Sequence, residues 1–244
     1  MIVFVVIVLL LSISIGDSIN INDCTIGIIG VGKIGSCLCK GYANYLTTTT
    51  TSTSDSSIDG SSKRILVTNR GINNVNKLIN LYPNTIEIAT TTEIIERCDV
   101  IFIALLPVVA RQLLPLLKFS NKNLIISMMA SIDIDEVVSL TQVSSDNIVK
   151  IVPLPSISTN TGPILVYPNN DIACKLLEVV GSPFPCSNED DMKPLVSMTG
   201  HISSFYELMR VSQDWLTTEG VDSHTGTTTT TTTTTNATTT TSIQ

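Results

Sequence analysis

Short apolar runs alternate with amphipathic segments between residues 24 and 167. Continuous apolar runs predict buried strands, whereas apolar residues spaced by three and four positions predict helices. The predicted strands are Cys24–Gly30, Arg64–Thr68, Ile86–Ile88, Val100–Ala104, Leu124–Ser127, Ile148–Val152 and Ile164–Tyr167. The predicted helices are Lys33–Tyr45, Ile72–Leu81, Thr92–Arg97, Val108–Leu117 and Asp135–Thr141. Strands separated by helices imply right-handed crossovers, so the pattern predicts an α/β fold with a Rossmann-like, doubly wound parallel sheet.

A short C-terminal helical appendage is predicted to follow this sheet. Acidic residues in Asn188–Asp191 open a helical pattern, which breaks near Thr199–Gly200 and resumes from Ser203 to Glu219. We therefore expect one sheet domain over residues 24–186 and a partial helical region over residues 187–224.

Two segments have compositions that predict no packed structure. Residues 47–62 are mostly Thr, Ser, Asp and Gly, and residues 225–244 are nearly all threonine. Such segments can bury little apolar surface to offset the entropy that folding costs. We predict a disordered insertion at 47–62 and a disordered Thr-rich tail at 225–244.

Residues 1–16 form an apolar leader that three interpretations fit. The leader is too short to span a bilayer comfortably and ends in Ser14-Ile15-Gly16, a small-x-small pattern that suits a cleaved signal or a weak anchor. An organellar leader would be richer in arginine, and the third interpretation is an extension that stays attached. Association with a membrane is expected only if the leader is retained, and localisation stays open.

The charge and the cysteine spacing restrict the class of ligand. The net charge is -7, and phosphate backbones require clustered positive charge, so we expect no nucleic-acid partner. The six cysteines and two histidines have no spacing typical of a metal site, so no metal is expected. A small-molecule ligand is the favoured partner.

A glycine motif follows the first predicted strand and opens the first predicted helix. It runs Gly30-Val31-Gly32-Lys33-Ile34-Gly35, a GxGxxG pattern. The first glycine permits a tight turn, the second lets a pyrophosphate approach the backbone, and the third lets the helix pack near the strand. Free N–H groups at the helix start bind phosphate, so residues 30–35 predict a dinucleotide site that includes Lys33 and Ile34.

The end of the second strand indicates which dinucleotide binds. NAD-preferring sites usually place a carboxylate there for the ribose hydroxyls, but this chain has Thr68-Asn69-Arg70. Arg70 can bind a 2′-phosphate through a charge-assisted hydrogen bond, and Asn69 can add a neutral donor. The sequence therefore favours NADP(H) over NAD(H).

Four segments resemble pyrroline-5-carboxylate reductases: IGIIGVGKIG at 26–35, VTNR at 67–70, CDVIFIALLP at 98–107 and LIISMMASIDIDEV at 124–137. The resemblance implies that Ala104, Leu105 and Pro107 lie beside the nicotinamide ring, and that residues 129–131 lie where substrate approaches. It also implies a cytoplasmic reductase of proline biosynthesis that oligomerises as a homodimer through residues 187–224.

The chain departs from this family where substrate would bind. The family's Met-Pro-Asn-Thr-Pro segment corresponds to Val152–Ser156, so Leu154 replaces the asparagine, and the family's Ser/Thr-Gly-Ser-Gly-Pro-Ala-Tyr turn corresponds to Thr199–Phe205. The helical region is also shorter than the family's. By resemblance, Gly200 and His201 are the substrate-binding residues.

The same resemblance makes Thr199, Ser203 and Ser204 the catalytic hydroxyl groups, which would assist protonation of the imine nitrogen. Two functions follow. The first is an NAD(P)H-dependent oxidoreductase acting on a CH–NH bond, which reduces an imine or ketone and most specifically 1-pyrroline-5-carboxylate to proline. The second is a catalytically silent NADP-binding protein of the same family.

Overall fold

The computed structural model describes residues 24–52 and 64–222. In this part of the chain the strands are β1 (Ile26–Ile29), β2 (Ile65–Val67), β3 (Ile86–Ile88), β4 (Val100–Ile103), β5 (Leu124–Ser127), β6 (Ile148–Pro153), β7 (Pro163–Tyr167) and β8 (Ser182–Pro185). The α-helices are α1 (Lys33–Ser52), α2 (Ile72–Leu81), α3 (Thr91–Arg97), α4 (Pro107–Leu113), α5 (Ile134–Thr141), α6 (Asp171–Glu178), α7 (Met192–Met198) and α8 (His201–Thr218). Three 3₁₀ helices cover Leu114–Leu116, Ser145–Asn147 and Pro155–Thr159.

The strands form one eight-stranded sheet in the order β3-β2-β1-β4-β5-β6-β7-β8. The six strands β1 to β6 run parallel, so their carboxyl ends meet at one edge of the sheet. Because β1 pairs with both β2 and β4, the order of the strands reverses beside β1. Ligands of doubly wound folds bind in the crevice at such a reversal. The α/β, Rossmann-like prediction is confirmed.

The last two strands depart from the predicted parallel sheet. β7 pairs antiparallel with β6, and β8 pairs parallel with β7. Between β6 and β7 the chain has only a short connection containing the 3₁₀ helix Pro155–Thr159. A parallel crossover needs a dozen or more residues, so this connection can join only antiparallel neighbours.

Alternate residues of β1 enter two hydrophobic clusters, one on each face of the sheet. Ile26 and Ile28 belong to the first cluster, and Ile29 belongs to the second. Successive strand residues point to opposite faces, so both faces of β1 are buried. On the first face Tyr42 of α1 lies with its ring 5.8 Å from that of Phe102, and its hydroxyl donates to the Leu176 carbonyl at 2.9 Å.

Helix α1 is longer than predicted. It continues past Tyr45 to Ser52, so the start of the predicted insertion at 47–62 is helical. The hydroxyls of Thr47 and Thr48 donate to main-chain carbonyls one turn earlier, at Ala43 and Asn44. These bonds satisfy the hydroxyls within the helix, although threonine has only modest helix propensity.

The chain divides into two compact units, Met1–Glu189 and Asp190–Gln244. The sheet and helices α1 to α6 belong to the first unit, and helices α7 and α8 belong to the second. The apolar leader at 1–16, residues 53–62 of the insertion, and the tail at 225–244 lie outside the described residues. No helix within 24–52 and 64–222 is long and apolar enough to cross a membrane.

Candidate functional site

The glycine-rich loop between β1 and α1 packs against the loop that follows β4. Gly30 has φ +99°, a backbone conformation that side chains other than glycine rarely adopt, and a Cβ there would lie 2.6 Å from the Ala104 carbonyl oxygen. A Cβ at Gly35 would overlap the Gly30 carbonyl. Both positions therefore require glycine for packing within the protein.

Gly32 differs from these two glycines. It is exposed, and a Cβ there would meet no protein atom within 4 Å. The fold itself therefore does not require glycine at this position. A ligand approaching the backbone does, because a side chain would occupy the space that a pyrophosphate needs. Lys33 is exposed at the first turn of α1. The Ile34 side chain instead packs against the hydrophobic core, so Ile34 could contact a dinucleotide mainly through its backbone.

Hydrogen bonds join the glycine-rich loop to the turn after β2. The Gly30 N–H donates to the Thr68 hydroxyl at 3.0 Å, and the Val31 N–H donates to the Arg70 carbonyl at 3.3 Å. The Asn74 side-chain amide donates to the Val31 carbonyl at 3.0 Å. Residues 30–31 and 68–70 therefore form one connected edge of the site.

Arg70 projects from this edge without a carboxylate partner in the part of the chain that the structure describes. Each of the other four arginines pairs with a glutamate or aspartate, as Arg64 does with Glu87 at 3.3 Å. Both Arg70 and Asn69 are exposed and line a pocket of about 250 Å³. A free guanidinium in a chain of net charge -7 is suited to an anionic ligand.

A second pocket of about 300 Å³ lies on the β3 side and shares Thr68, Asn69 and Thr91 with the first. Its wall includes Thr90 and Glu93, which form a capping box at the start of α3. The Thr90 N–H donates to the Glu93 carboxylate at 2.7 Å, and this bond lowers the pKa of Glu93. The sequence prediction missed these residues, although the T-x-x-E pattern after a strand marks such a helix start.

The loop after β4 forms the opposite side of the crevice. Ala104 is half-buried, Leu105 is buried in the second cluster, and Pro107 begins α4. The intervening Leu106 is 74% exposed, and it was missed in the sequence prediction because the apolar run resembled a buried strand end. Ala104 and Leu105 thus lie beside the glycine-rich loop, whereas Pro107 begins α4 and Leu106 exposes its apolar side chain between them.

The predicted substrate residues Thr199, Gly200, His201, Ser203 and Ser204 all lie in the second unit, at the junction of α7 and α8. The Thr199 hydroxyl donates to the Val196 carbonyl at 2.6 Å, and the Gly200 N–H donates to the Ser197 carbonyl at 3.1 Å. Both donors are therefore used inside this turn, so a carboxylate could take the Gly200 amide only after the turn rearranges. His201, Ser203 and Ser204 are exposed on α8.

The amino-acid sequence matches one broad family of oxidoreductases over part of its length. Residues 25–131, less than half of the chain, match the family described as NADP oxidoreductase, coenzyme F420-dependent. The matched segment contains the glycine-rich loop, Arg70 and the loop after β4. No curated protein sequence matches the chain.

Solved structures then identify the fold more narrowly. The 1-pyrroline-5-carboxylate reductase of Streptococcus pyogenes is similar with a TM-score of 0.67 at 16% identity, over 91% of this chain and 80% of that chain. The Plasmodium falciparum pyrroline carboxylate reductase with NADP bound gives 0.65 at 17% identity, over 91% and 79%. A reductive aminase from Aspergillus terreus, in complex with NADPH and ethyl levulinate, gives 0.52 at 16% identity, over 82% and 68%. The predicted resemblance is thus confirmed for the fold, and the cofactors of two of these structures agree with the prediction of NADP(H).

We predict that Gly32→Val folds normally but loses dinucleotide binding, because the new side chain meets no protein atom and instead fills the approach to the backbone. Circular dichroism and thermal unfolding check the fold, and a fluorescence titration with NADPH measures affinity. A folded Gly32→Val protein that binds NADPH as tightly as the wild type would exclude this loop as the pyrophosphate site.

Proposed function

We propose that this protein is an NADP(H)-dependent reductase of cyclic imines, with 1-pyrroline-5-carboxylate as the first substrate to test. The observation that carries the proposal is the unpaired Arg70 guanidinium, bonded through its own backbone to the glycine-rich loop. A pyrophosphate at residues 30–35 and a 2′-phosphate at Asn69 and Arg70 would be bound by adjacent parts of one edge. NADPH supplies a hydride when bound, and the similar pyrroline carboxylate reductase of Plasmodium falciparum has NADP bound.

The protein's own groups would then have three tasks. The N–H groups at the start of α1 hold the pyrophosphate, the loop of Ala104, Leu105 and Pro107 excludes water beside the nicotinamide, and a hydroxyl from Thr199, Ser203 or Ser204 hydrogen-bonds the imine nitrogen. A strong general acid is not required, because an imine that already carries a proton accepts hydride readily. Positioning of the imine carbon is the main contribution of the protein.

The second candidate function, a silent NADP-binding protein, is favoured by one observation. The Thr199 hydroxyl and the Gly200 amide are both hydrogen-bonded within their own turn. Leu154, which replaces an asparagine of the family pattern, is half-buried and brings no amide to the end of β6. A protein of this kind would still bind NADP(H) at residues 30–35 and 68–70 but would not reduce an imine.

We also propose a homodimer formed through residues 187–224. Helix α8 exposes large apolar side chains at positions spaced by three and four residues, which places them on one face: Phe205, Leu208, Val211 and Trp215, each between 42% and 64% exposed. Contiguous exposed apolar surface of this kind is typical of protein interfaces. In this arrangement two copies would pair through a self-complementary helix face.

For the cofactor, we predict that Arg70→Ala weakens NADPH binding much more than NADH binding. A hydrogen bond to a charged group contributes about 1.5–3 kcal/mol, which corresponds to roughly tenfold to hundredfold in affinity. Asn69→Asp should act in the same direction by repelling the 2′-phosphate. Arg64→Ala is the matched control, because Arg64 is exposed and already paired with Glu87. Equal losses for both cofactors on titrating Arg70→Ala would mean that Arg70 does not bind the 2′-phosphate.

For the reaction, we predict that purified full-length protein oxidises NADPH when a cyclic imine is added and does not do so with the buffer alone. Loss of absorbance at the nicotinamide band follows the reaction, and chromatography identifies the cyclic amine. Tight NADPH binding without turnover of any imine would favour the silent binding protein.

For assembly, we predict that the wild type sediments as a dimer and that Leu208→Glu shifts it towards monomer, because the new charge would be desolvated in the interface. Thr217→Glu is the control, since Thr217 is exposed on the opposite side of α8. Analytical ultracentrifugation measures both variants. A wild type that is monomeric at micromolar concentration would contradict this assembly.

A further inference from the structure

The sheet topology places the adenosine half of a bound dinucleotide on one side of β1 and the nicotinamide half on the other side. Asn69 and Arg70 follow β2, and the pocket that Asn69 shares with Thr90 and Glu93 lies on the side of β2 and β3. If the pyrophosphate lies at residues 30–35 and the 2′-phosphate at Arg70, the nicotinamide must extend to the other side, over the ends of β4, β5 and β6. The nicotinamide, and a substrate beside it, would therefore lie against the loops after these three strands.

These three loops contain no cationic residue, and their one charged side chain is the carboxylate of Asp133 at the end of the β5 loop. Their sequences, with flanking residues, are Ala-Leu-Leu-Pro-Val-Val at 104–109, Met-Met-Ala-Ser-Ile-Asp at 128–133 and Val-Pro-Leu-Pro-Ser-Ile-Ser-Thr-Asn-Thr-Gly at 152–162. In the first loop Leu106 is 74% exposed and Val108 is 66% exposed. The loops on this side are therefore largely apolar; their polar side chains are hydroxyl groups, the Asp133 carboxylate and the Asn160 amide, which donates to the Gly41 and Val179 carbonyls.

The nearest charges do not favour an anionic substrate either. Arg111 of α4 donates two hydrogen bonds to Glu136, and Lys150 within β6 is buried and paired with Glu189 at 2.7 Å. The exposed charges at the end of the β5 loop and in the first turn of α5 are the carboxylates of Asp133 and Asp135. Both cations on these elements are thus neutralised by glutamates, and the remaining charge is negative.

We propose that the substrate of this site is an apolar cyclic imine without a carboxylate, bound as its iminium cation, in preference to 1-pyrroline-5-carboxylate. This proposal rests on the proposed function and narrows it. The imine carbon accepts a hydride from NADPH, the π electrons of the C=N bond pass to nitrogen, and the nitrogen keeps its proton, so that the imine is reduced to a secondary amine and NADPH is oxidised to NADP⁺. Leu106 and Val108 are the residues that set this preference, by contact with the hydrocarbon part of the ring.

Two imines that differ only in the carboxylate test the proposal. With wild-type protein and NADPH, kcat/KM for 1-pyrroline should exceed that for 1-pyrroline-5-carboxylate by roughly tenfold or more, the ratio expected when one buried charge lacks a partner. Equal values, or a preference for the carboxylate, would overturn the proposal while leaving the proposed imine reductase intact.

If neither imine is reduced, the proposed function fails. Ligand binding then tests whether the site prefers a ligand without a carboxylate. Pyrrolidine should then raise the unfolding temperature of the NADP⁺ complex more than L-proline does, because ligands that bind the folded state stabilise it. A larger shift with L-proline would overturn the proposal independently of turnover.

A charge introduced at Leu106 tests the assignment of residues. Leu106→Arg should lower kcat/KM for 1-pyrroline and raise it for 1-pyrroline-5-carboxylate, changing their ratio by about tenfold, because the guanidinium can pair with the carboxylate. Leu116→Arg is the matched control, since Leu116 is 78% exposed and lies beyond the other end of α4. An unchanged ratio in Leu106→Arg, or the same change in both variants, would contradict the role of Leu106.

Discussion

The candidate site depends on the hydrogen bond from the Gly30 N–H to the Thr68 hydroxyl. The Gly30 N–H lies just beyond the end of β1 and is buried, and a buried N–H without a partner would cost about 1–3 kcal/mol. Thr68 supplies the partner from the end of β2. The bond therefore holds the glycine-rich loop and the Arg70 turn in one geometry, so that both can contact the same dinucleotide.

Much of the fold could be predicted from the sequence, including the turns at residues 30–35 and 68–70, because these features depend on local patterns. The apolar runs of β1 and β4 indicate buried strands, and the glycines of residues 30–35 indicate the turn that joins β1 to α1. Helix α6 and strand β8 were missed. Strand β8 has the sequence Ser-Pro-Phe-Pro, and proline is tolerated there because β8 is an edge strand, which a sequence pattern does not reveal.

The substrate side could be predicted much less well, because its properties arise from contacts between distant residues. The neutralisation of Lys150 by Glu189 joins positions 39 residues apart, and the exposure of Leu106 depends on how α4 begins. The hydrogen bond of the Gly200 amide within its turn is equally a property of the folded chain. The resemblance to a family that reduces an imine bearing a carboxylate and the apolar character of these loops therefore lead to different substrates, and the loops are the more direct evidence about this chain.

The most direct test of the account is a crystal structure of the full chain grown with NADPH. The account predicts that the pyrophosphate contacts the backbone at Gly32, that the 2′-phosphate lies within hydrogen-bonding distance of the Arg70 guanidinium, and that the nicotinamide faces the loop containing Leu106. A dinucleotide bound in the reverse direction, with its nicotinamide beside Arg70, or bound away from residues 30–35, would contradict it.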